Sequence, residues 1–266
     1  MNTENIKVIA MDLDGTLLRP DKKIAESTKK YLKRLHIEGY SIIAVTGRIL
    51  KNSLFVQEGD LLFDYVICAG GTIIYDVRNK KILWEVTLDP TVYKKIADLY
   101  KSSATKISFC DTEYYHNYGY SIRKGLVDTE IADLDDFYRK TKSIYKMEIF
   151  FDNEDLHQKC LDTFSIHFPF LSYISMQDSF GVSQWIEVYP KNVNKVTALK
   201  KLLSYLNYTI ENVVAFGDGR NDIEFLKESK IGVAMGNALD IVKEVADDVT
   251  LSYEEKGVEY WLKQHL

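Results

Sequence analysis

The chain has 266 residues, 46% apolar and 27% charged, enough for a full core in one or two domains and ordinary for a soluble globular protein. Its 34 lysines and arginines against 39 acids leave a net charge of -5, which speaks against a general nucleic-acid binder. No apolar run approaches the ~18 residues of a membrane span, the segment Met1 to Lys7 has no basic stretch leading into a long apolar one and predicts no secretory signal, and the dispersed cysteines Cys68, Cys110 and Cys160 suit reduced core thiols in the cytoplasm.

Val8 to Met11 is a short apolar run of the kind that forms a buried strand. It stops at Asp12 and Asp14, and Gly15-Thr16 follows as a turn signal. Carboxylates at the edge of a core need a metal, a proton or a partner. In open α/β sheets this end of the strands is also where ligands bind. Ile24 to Ile37 places Ile24, Tyr31, Leu32, Leu35 and Ile37 among many lysines, which predicts a surface helix with one packed face, ended by Gly39. Tyr40 to Val45 reads as a second strand and ends in Thr46-Gly47-Arg48. Tyr65 to Ala69 reads as a third and ends in Gly70-Gly71. This alternation argues for a parallel sheet with helices on its faces. Ile73 to Tyr75 and Ile82 to Trp84, around Arg78-Asn79-Lys80, form a hairpin pattern.

A different texture follows, rich in tyrosine and phenylalanine and without strand ends that present acids. Its expected elements are a helix at Thr91 to Lys101, paired strands at Thr105 to Cys110 and Tyr114 to Tyr118, and a helix near Ile131 to Lys140. A strand at Tyr145 to Phe151, a helix at Glu154 to Phe168, and strands at Tyr173 to Met176 and Gln184 to Tyr189 complete it. A structureless loop of that length inside a compact domain is contrary to ordinary loop lengths, so the stretch reads as an inserted domain, punctuated near its ends by Pro90 and Pro190. The opening pattern then returns: a helix from Lys195 to Leu206, a strand from Asn212 to Phe216 ending in Gly217-Asp218-Gly219-Arg220-Asn221-Asp222, and a helix from Ile223 to Ser229. A strand from Ile231 to Met235, Gly236-Asn237-Ala238 with a further helix, a short strand within Asp248 to Ser252 and a helix from Gly257 to His265 close the chain.

Four clusters carry chemistry: Asp12-x-Asp14, Thr46-Gly47-Arg48, Lys195, and Gly217-Asp218 with Asn221-Asp222. Each has a bland reading as a solvated turn, a β-branched strand residue or a surface lysine. A calcium loop starting at Asp12 fails on spacing, because Leu17 stands where such a loop needs glycine and Lys23 where it needs a bidentate glutamate. If the two acid-ended strands are neighbours, Asp12, Asp14 and Asp218 converge, and repulsion raises their pKa values unless a cation sits between them. Carboxylates without histidine or cysteine favour Mg2+. A hydroxyl at Thr46, backbone made approachable by Gly47, and an ammonium at the start of a helix at Lys195 are suited to phosphate oxygens. A nucleophile, a proton donor and charge neutralisation are what phosphoryl transfer requires.

M-D-L-D-G-T at Met11 to Thr16, V-T-G-R at Val45 to Arg48, Lys195, and G-D-G-R-N-D at Gly217 to Asp222 resemble, in order, the four motifs of the haloacid dehalogenase-like superfamily. With V-A-M-G-N-A at Val233 to Ala238 and Gly257-Val258 they look most like its Cof-type hydrolases. The resemblance implies an α/β fold: a Rossmann-like parallel sheet core over 1-84 and 185-266 with an α/β cap inserted at 85-184. It implies Asp12 as nucleophile, Asp14 as proton shuttle, and Mg2+ held by the Asp12 carboxylate, the Asp14 carbonyl and Asp218. Asp222 and Asn221 support that site, and Thr46, Gly47 and Lys195 bind phosphate. The implied enzyme is a cytoplasmic phosphatase of a small phosphorylated metabolite, a sugar phosphate or phosphorylated cofactor, with no nucleic-acid or membrane partner. A phosphomutase and a non-catalytic binding protein are the alternatives. His116, Tyr118, Arg123 and Lys124 are candidate substrate contacts in the cap. Three departures stand out: Gly70-Gly71 replaces the family's usual Asn-Gly, Asn192-Val193-Asn194 replaces its Gly-Val-Ser turn, and Arg220 stands where Glu or a small residue is common.

Overall fold

The structure is a computed structural model, and it describes residues 2–56, 62–119, 127–141, 143–177 and 184–266. The chain opens with β1 (Val8–Met11), α1 (Glu26–Ile37), β2 (Ser41–Val45), α2 (Leu50–Phe55), β3 (Tyr65–Cys68), β4 (Ile73–Asp76) and β5 (Lys81–Glu85). It continues with α3 (Pro90–Tyr100), β6 (Lys106–Cys110), β7 (Tyr115–Gly119), β8 (Asp128–Glu130), α4 (Leu134–Lys140), β9 (Lys146–Phe151), α5 (Glu154–His167), β10 (Leu171–Gln177) and β11 (Gln184–Pro190). It ends with α6 (Lys195–Tyr205), β12 (Val213–Gly217), α7 (Ile223–Glu228), β13 (Ile231–Ala234), α8 (Asp240–Lys243), β14 (Asp248–Val249) and α9 (Gly257–His265).

Two compact units emerge. One is built from Met1–Arg48, Ser53–Trp84 and Asn194–Leu266, the other from Ile49–Asn52 and Glu85–Val193. The first holds an eight-stranded sheet in the order β14-β13-β12-β1-β2-β3-β4-β5. Pairing is parallel from β14 to β3 and turns antiparallel at β4. Val8 to Met11 and Val213 to Phe216 are wholly buried, as continuous apolar strands covered on both faces should be. β1 lies centrally, with Met11 opposite Phe216 on one side and Ala44 on the other. The residues that follow β1, β2 and β12 therefore leave the sheet side by side.

The second unit holds a six-stranded sheet in the order β10-β11-β9-β6-β7-β8, antiparallel except for the β7–β8 pair. Along β6, and over Lys146 to Ile149 of β9, apolar and polar residues alternate. The apolar side chains of β6, β9 and β11, among them Ile107, Phe109, Met147, Ile149, Ile186 and Val188, share one core with Tyr93 and Ile96 of α3, Leu134 of α4 and Phe164 of α5. α3 starts where Asp89 accepts the Thr91 N–H and Pro90 takes the first turn; α5 starts where Asn153 accepts the Leu156 N–H. The sequence pattern divides the chain after residue 184, whereas the contacts divide it after Val193. The reason is that β11 pairs along its length with β10 and β9 and so belongs wholly to the second sheet. α2 and β8 have no counterpart in the sequence expectations. β8 reads Asp128-Thr129-Glu130, and without apolar periodicity only its pairing with β7 makes it a strand.

Candidate active site

The site is built from residues of the first unit. Asp12 follows β1 directly, and its N–H still donates to Phe216 O at 2.9 Å. The chain then turns through Gly15, whose φ of +79° is open to glycine. A Cβ at Gly15 would stand 2.3 Å from Asp218 Oδ2, so the absence of a side chain lets this turn close onto the β12 turn. Thr16 Oγ1 donates to Asp218 Oδ1 at 2.9 Å, and Asn237 Nδ2 donates to Gly15 O at 2.8 Å. The turn after β12 is pinned by Asp222, whose Oδ2 accepts the N–H groups of Asp218 and Gly219 at 3.0 and 2.9 Å. Asn221 lies in that turn, in the 3-10 segment Arg220–Asp222.

Lys195 is delivered by the start of α6. Asn194 caps it by accepting the Thr197 N–H while Thr197 Oγ1 accepts the Asn194 N–H. Asn192 takes the left-handed conformation (φ +60°) in the approach to this helix. In Gly70-Gly71 the departure falls at Gly70, whose φ of +71° is a left-handed conformation that asparagine also adopts, while the steric demand falls on Gly71, the glycine the family pattern shares. Gly71 has φ +110°, and a Cβ there would stand 2.3 Å from Asn194 O. The loop after β3 thus packs backbone to backbone against the cap of the helix that carries Lys195.

Lys195 is 2% exposed, and its Nζ reaches Asp12 Oδ1 at 2.5 Å and Asp222 Oδ1 at 2.6 Å. Asp12, Asp218 and Asp222 each bring a ligand oxygen within 4.8 Å of the others. Burial pushes Asp12 well above the usual carboxylate range; Lys195 pulls it back, while Asp222 and Asp218 push it further up. Burial, then the charge of Asp222, lifts Asp218 to about 7 against a hydrogen bond from Thr16. Burial disfavours the Lys195 ammonium, yet Asp12 and Asp222 hold its pKa above the ordinary lysine value. One ammonium does not neutralise three carboxylates. An all-oxygen set with excess negative charge fits a hard divalent cation such as Mg2+.

Asp14 stands apart from that cluster. Arg48 grips it in bidentate fashion, Nε to Oδ2 at 2.6 Å and Nη2 to Oδ1 at 2.7 Å, and Lys22 Nζ adds 2.9 Å to Oδ1. Burial alone would raise its pKa, but hydrogen bonds and charge from Arg48, then from Lys22, outweigh it and hold Asp14 at about 2. Thr46 is 1% exposed at the end of β2, where its Oγ1 accepts the Arg48 N–H at 3.2 Å. A Cβ on Gly47 would meet nothing within 4 Å, so the protein itself leaves space over that turn. Arg48, Lys22, Thr16 and Asn237 had no role in the sequence reading. Arg48 and Asn237 were visible within their motifs, but Lys22 had no signal because its reach to Asp14 depends on a left-handed backbone at φ +60°.

The cap candidates divide. His116 lies between Asp111 Oδ2 at 2.8 Å and Thr129 Oγ1 at 2.7 Å and packs on Phe137. Tyr118 packs on the second unit's core. Arg123 and Lys124 lie outside the described residues.

A parallel sheet with acids converging at the ends of β1 and β12 and a lysine beside them defines a phosphoryl-transfer type of α/β hydrolase. The chain belongs to the haloacid dehalogenase-like hydrolase family, whose model matches residues 9–262. It is 30% identical over 254 residues to the 5-amino-6-(5-phospho-D-ribitylamino)uracil phosphatase of Bacillus subtilis (strain 168), covering 96% of this chain and 93% of that one. It is 30% identical over 275 residues to the pyridoxal phosphate phosphatase of Escherichia coli (strain K12), covering 98% of each. Among solved structures it resembles a phosphatase of this superfamily from Bacteroides thetaiotaomicron, with a TM-score of 0.83, 26% identity, and coverage of 98% of this chain and 95% of that one. Among the described residues no helix is long and apolar enough to cross a membrane.

Proposed function

We propose that the chain is a Mg2+-dependent phosphatase that cleaves small phosphate monoesters through a phosphorylated Asp12. The observation that carries this reading is the convergence of Asp12, Asp218 and Asp222 on the buried Lys195 ammonium. An Asp12 oxygen attacks phosphorus as the bond from phosphorus to the leaving oxygen breaks, and Asp14 supplies that oxygen's proton. Water then attacks the phosphorus of the acyl phosphate, gives its proton to Asp14, and restores Asp12 as phosphate leaves. Lys195 offsets charge on the phosphoryl oxygens, and the turn at Thr46-Gly47 is open for them to approach. Mg2+ held by Asp12, Asp218 and the Asp14 carbonyl, with Asp222 and Asn221 shaping the turn, would supply further charge neutralisation.

Gripped by Arg48, Asp14 is ionised at neutral pH. That state suits the base of the second half-reaction. Its role as acid in the first requires protonation after the grip of Arg48 and Lys22 loosens. The first unit carries the chemistry in this reading and the second, as a cap, selects the ester. The named phosphatase relatives act on a ribitylaminouracil phosphate and on pyridoxal phosphate, which supports a phosphorylated cofactor or its precursor as substrate. Three buried, unpaired cysteines support work in the cytoplasm. The test is phosphate release from a panel of esters, with and without Mg2+, by wild type and Asp12→Asn. Release that needs both Asp12 and the metal supports the reading; undiminished release by Asp12→Asn refutes it.

A further inference from the structure

A β-sheet leaves two strands at its edges, each presenting a row of backbone N–H and C=O groups that another chain can pair with. The two sheets have four such edges: β14 and β5 in the first unit, β8 and β10 in the second. Three carry the guards that keep edges from pairing. β14 has two residues and begins on Asp248. β8 has three, Asp128-Thr129-Glu130, of which two are acids. β5 begins on Lys81 and ends on Glu85. β10 carries none of these guards. It runs for seven residues, Leu171-Ser172-Tyr173-Ile174-Ser175-Met176-Gln177, without a charge or a proline. It is also unbroken, pairing residue by residue with β11 from Leu171 opposite Pro190 to Gln177 opposite Gln184. In such a ladder alternate residues direct their N–H and C=O groups inward, here to β11, and the rest direct them outward. Because β10 ends the sheet order, no strand among the described residues meets the outward set.

The charge pattern selects the occupant of this edge. Two copies of a chain with a net charge of -5 repel each other, so they meet best where neither brings a charge. β10 is such a place. A charged foreign segment finds nothing on β10 to choose it by. An antiparallel strand is also complementary to itself about a two-fold axis. With the axis at Ile174, Ser172 stands opposite Met176 of the second copy, Tyr173 opposite Ser175, and Leu171 opposite Gln177, so no like charges are opposed. The same operation on β8 would set Asp128 against Glu130. A stable pair buries about 800 Å² on each side, so the strands need flanking surface as well. Ile166, near the end of α5, and Phe170, one residue before β10, are 70% and 46% exposed and offer apolar surface on the segment that leads into the edge.

We propose that the chain forms a homodimer in which β10 of each copy pairs antiparallel with β10 of the other about a two-fold axis at Ile174. The two six-stranded sheets then become one sheet of twelve. The helices of both copies lie on the same face of it, since this axis runs perpendicular to the sheet. The contact uses no residue of the phosphoryl chemistry, so it stands independently of the phosphatase reading.

Sedimentation equilibrium over a series of protein concentrations tests it. Wild type should give twice the chain mass of 30.7 kDa. Ser172→Lys with Met176→Lys sets lysine against lysine twice across the axis and should weaken association roughly 100-fold. Ser172→Lys with Met176→Glu sets lysine against glutamate at the same two places and should keep the dimer. Ile37→Lys, at an 83% exposed residue of α1, is the control that should change nothing. Circular dichroism and thermal melts establish folding. Should a charge variant fail to fold, Ile174→Cys takes its place: Cys68, Cys110 and Cys160 are buried, and mild oxidation should link two copies through residue 174. Wild type that keeps the mass of one chain at every concentration overturns the proposal and leaves the edge to a foreign strand. So does a dimer of undiminished strength in the folded lysine pair, loss of the dimer in both charge variants, or a cysteine variant that forms no covalent dimer.

Discussion

Asp218 makes the metal-free protein's stability depend on pH in an unusual direction. Its pKa rises from an ordinary 3.8 to about 7 in the fold, first through burial and next through the charge of Asp222. An acid raised in this way adds stability that is fully present below its unfolded pKa and is lost as pH rises through its folded pKa. At ~1.4 kcal/mol per unit, that rise amounts to roughly 4 kcal/mol lost between about pH 4 and somewhat above pH 7. Urea denaturation in EDTA, run across that range on wild type and Asp218→Asn, isolates the effect. Asp218→Asn should gain on wild type as pH rises, because an amide has no proton to lose. Millimolar Mg2+ should then stabilise wild type more at high pH than at low pH, and Asp218→Asn far less. Denaturation curves for the two proteins that shift in parallel with pH would refute the picture of surplus, mutually repelling carboxylates.

Other outcomes follow from neighbouring contacts. Asp12→Asn should lower phosphate release by roughly 10³-fold while leaving the fold intact, as loss of a nucleophile does; steady-state assays and circular dichroism check both halves. Lys195→Met removes the ammonium between Asp12 and Asp222 and should cost about 3–5 kcal/mol in EDTA at neutral pH, measured by urea denaturation; a loss under about 1 kcal/mol would mean the pair is not buried as described. Arg48→Lys gives up the bidentate grip, so the Asp14 pKa should climb from about 2 towards the ordinary value, followed by carboxyl NMR titration; an unmoved value would assign the depression to Lys22 instead. Gly71→Ala should destabilise by about 2 kcal/mol or more through strain and its clash with Asn194 O; thermal melts at wild-type level would contradict the close approach of the two loops.

Much of this site could be read before any coordinates because its carriers are local. β1 and β12 are unbroken apolar runs that end in acids, and Asn194 with Thr197 is a capping signal visible three residues apart. The chain-wide order of elements was equally legible, since strand and helix alternate with clear punctuation. What stayed hidden depends on neighbours far away in sequence. The depressed pKa of Asp14 comes from Arg48, which only the β1–β2 pairing and the turn after β2 bring within reach. β8 carries no apolar residue to announce it. In the second sheet β6, and Lys146-Met147-Glu148-Ile149 of β9, do alternate, and that pattern predicts one solvated face. Lys146, Glu148 and Glu187 depart from the pattern, buried where the ammonium pairs with both carboxylates.

The central place of β1 also has a consequence for how the molecule is made. β1 leaves the ribosome well before one of its two neighbours, β12, which follows the whole second unit. Until Phe216 has been synthesised and docked beside Met11, β1 presents an unpaired, wholly apolar edge. The same delay keeps Asp12 without Lys195 and Asp222, so the completed site is a product of late, long-range closure. Chains that stop short of β12 therefore expose a sticky strand and lack the convergence of Asp12 and Asp222 on Lys195.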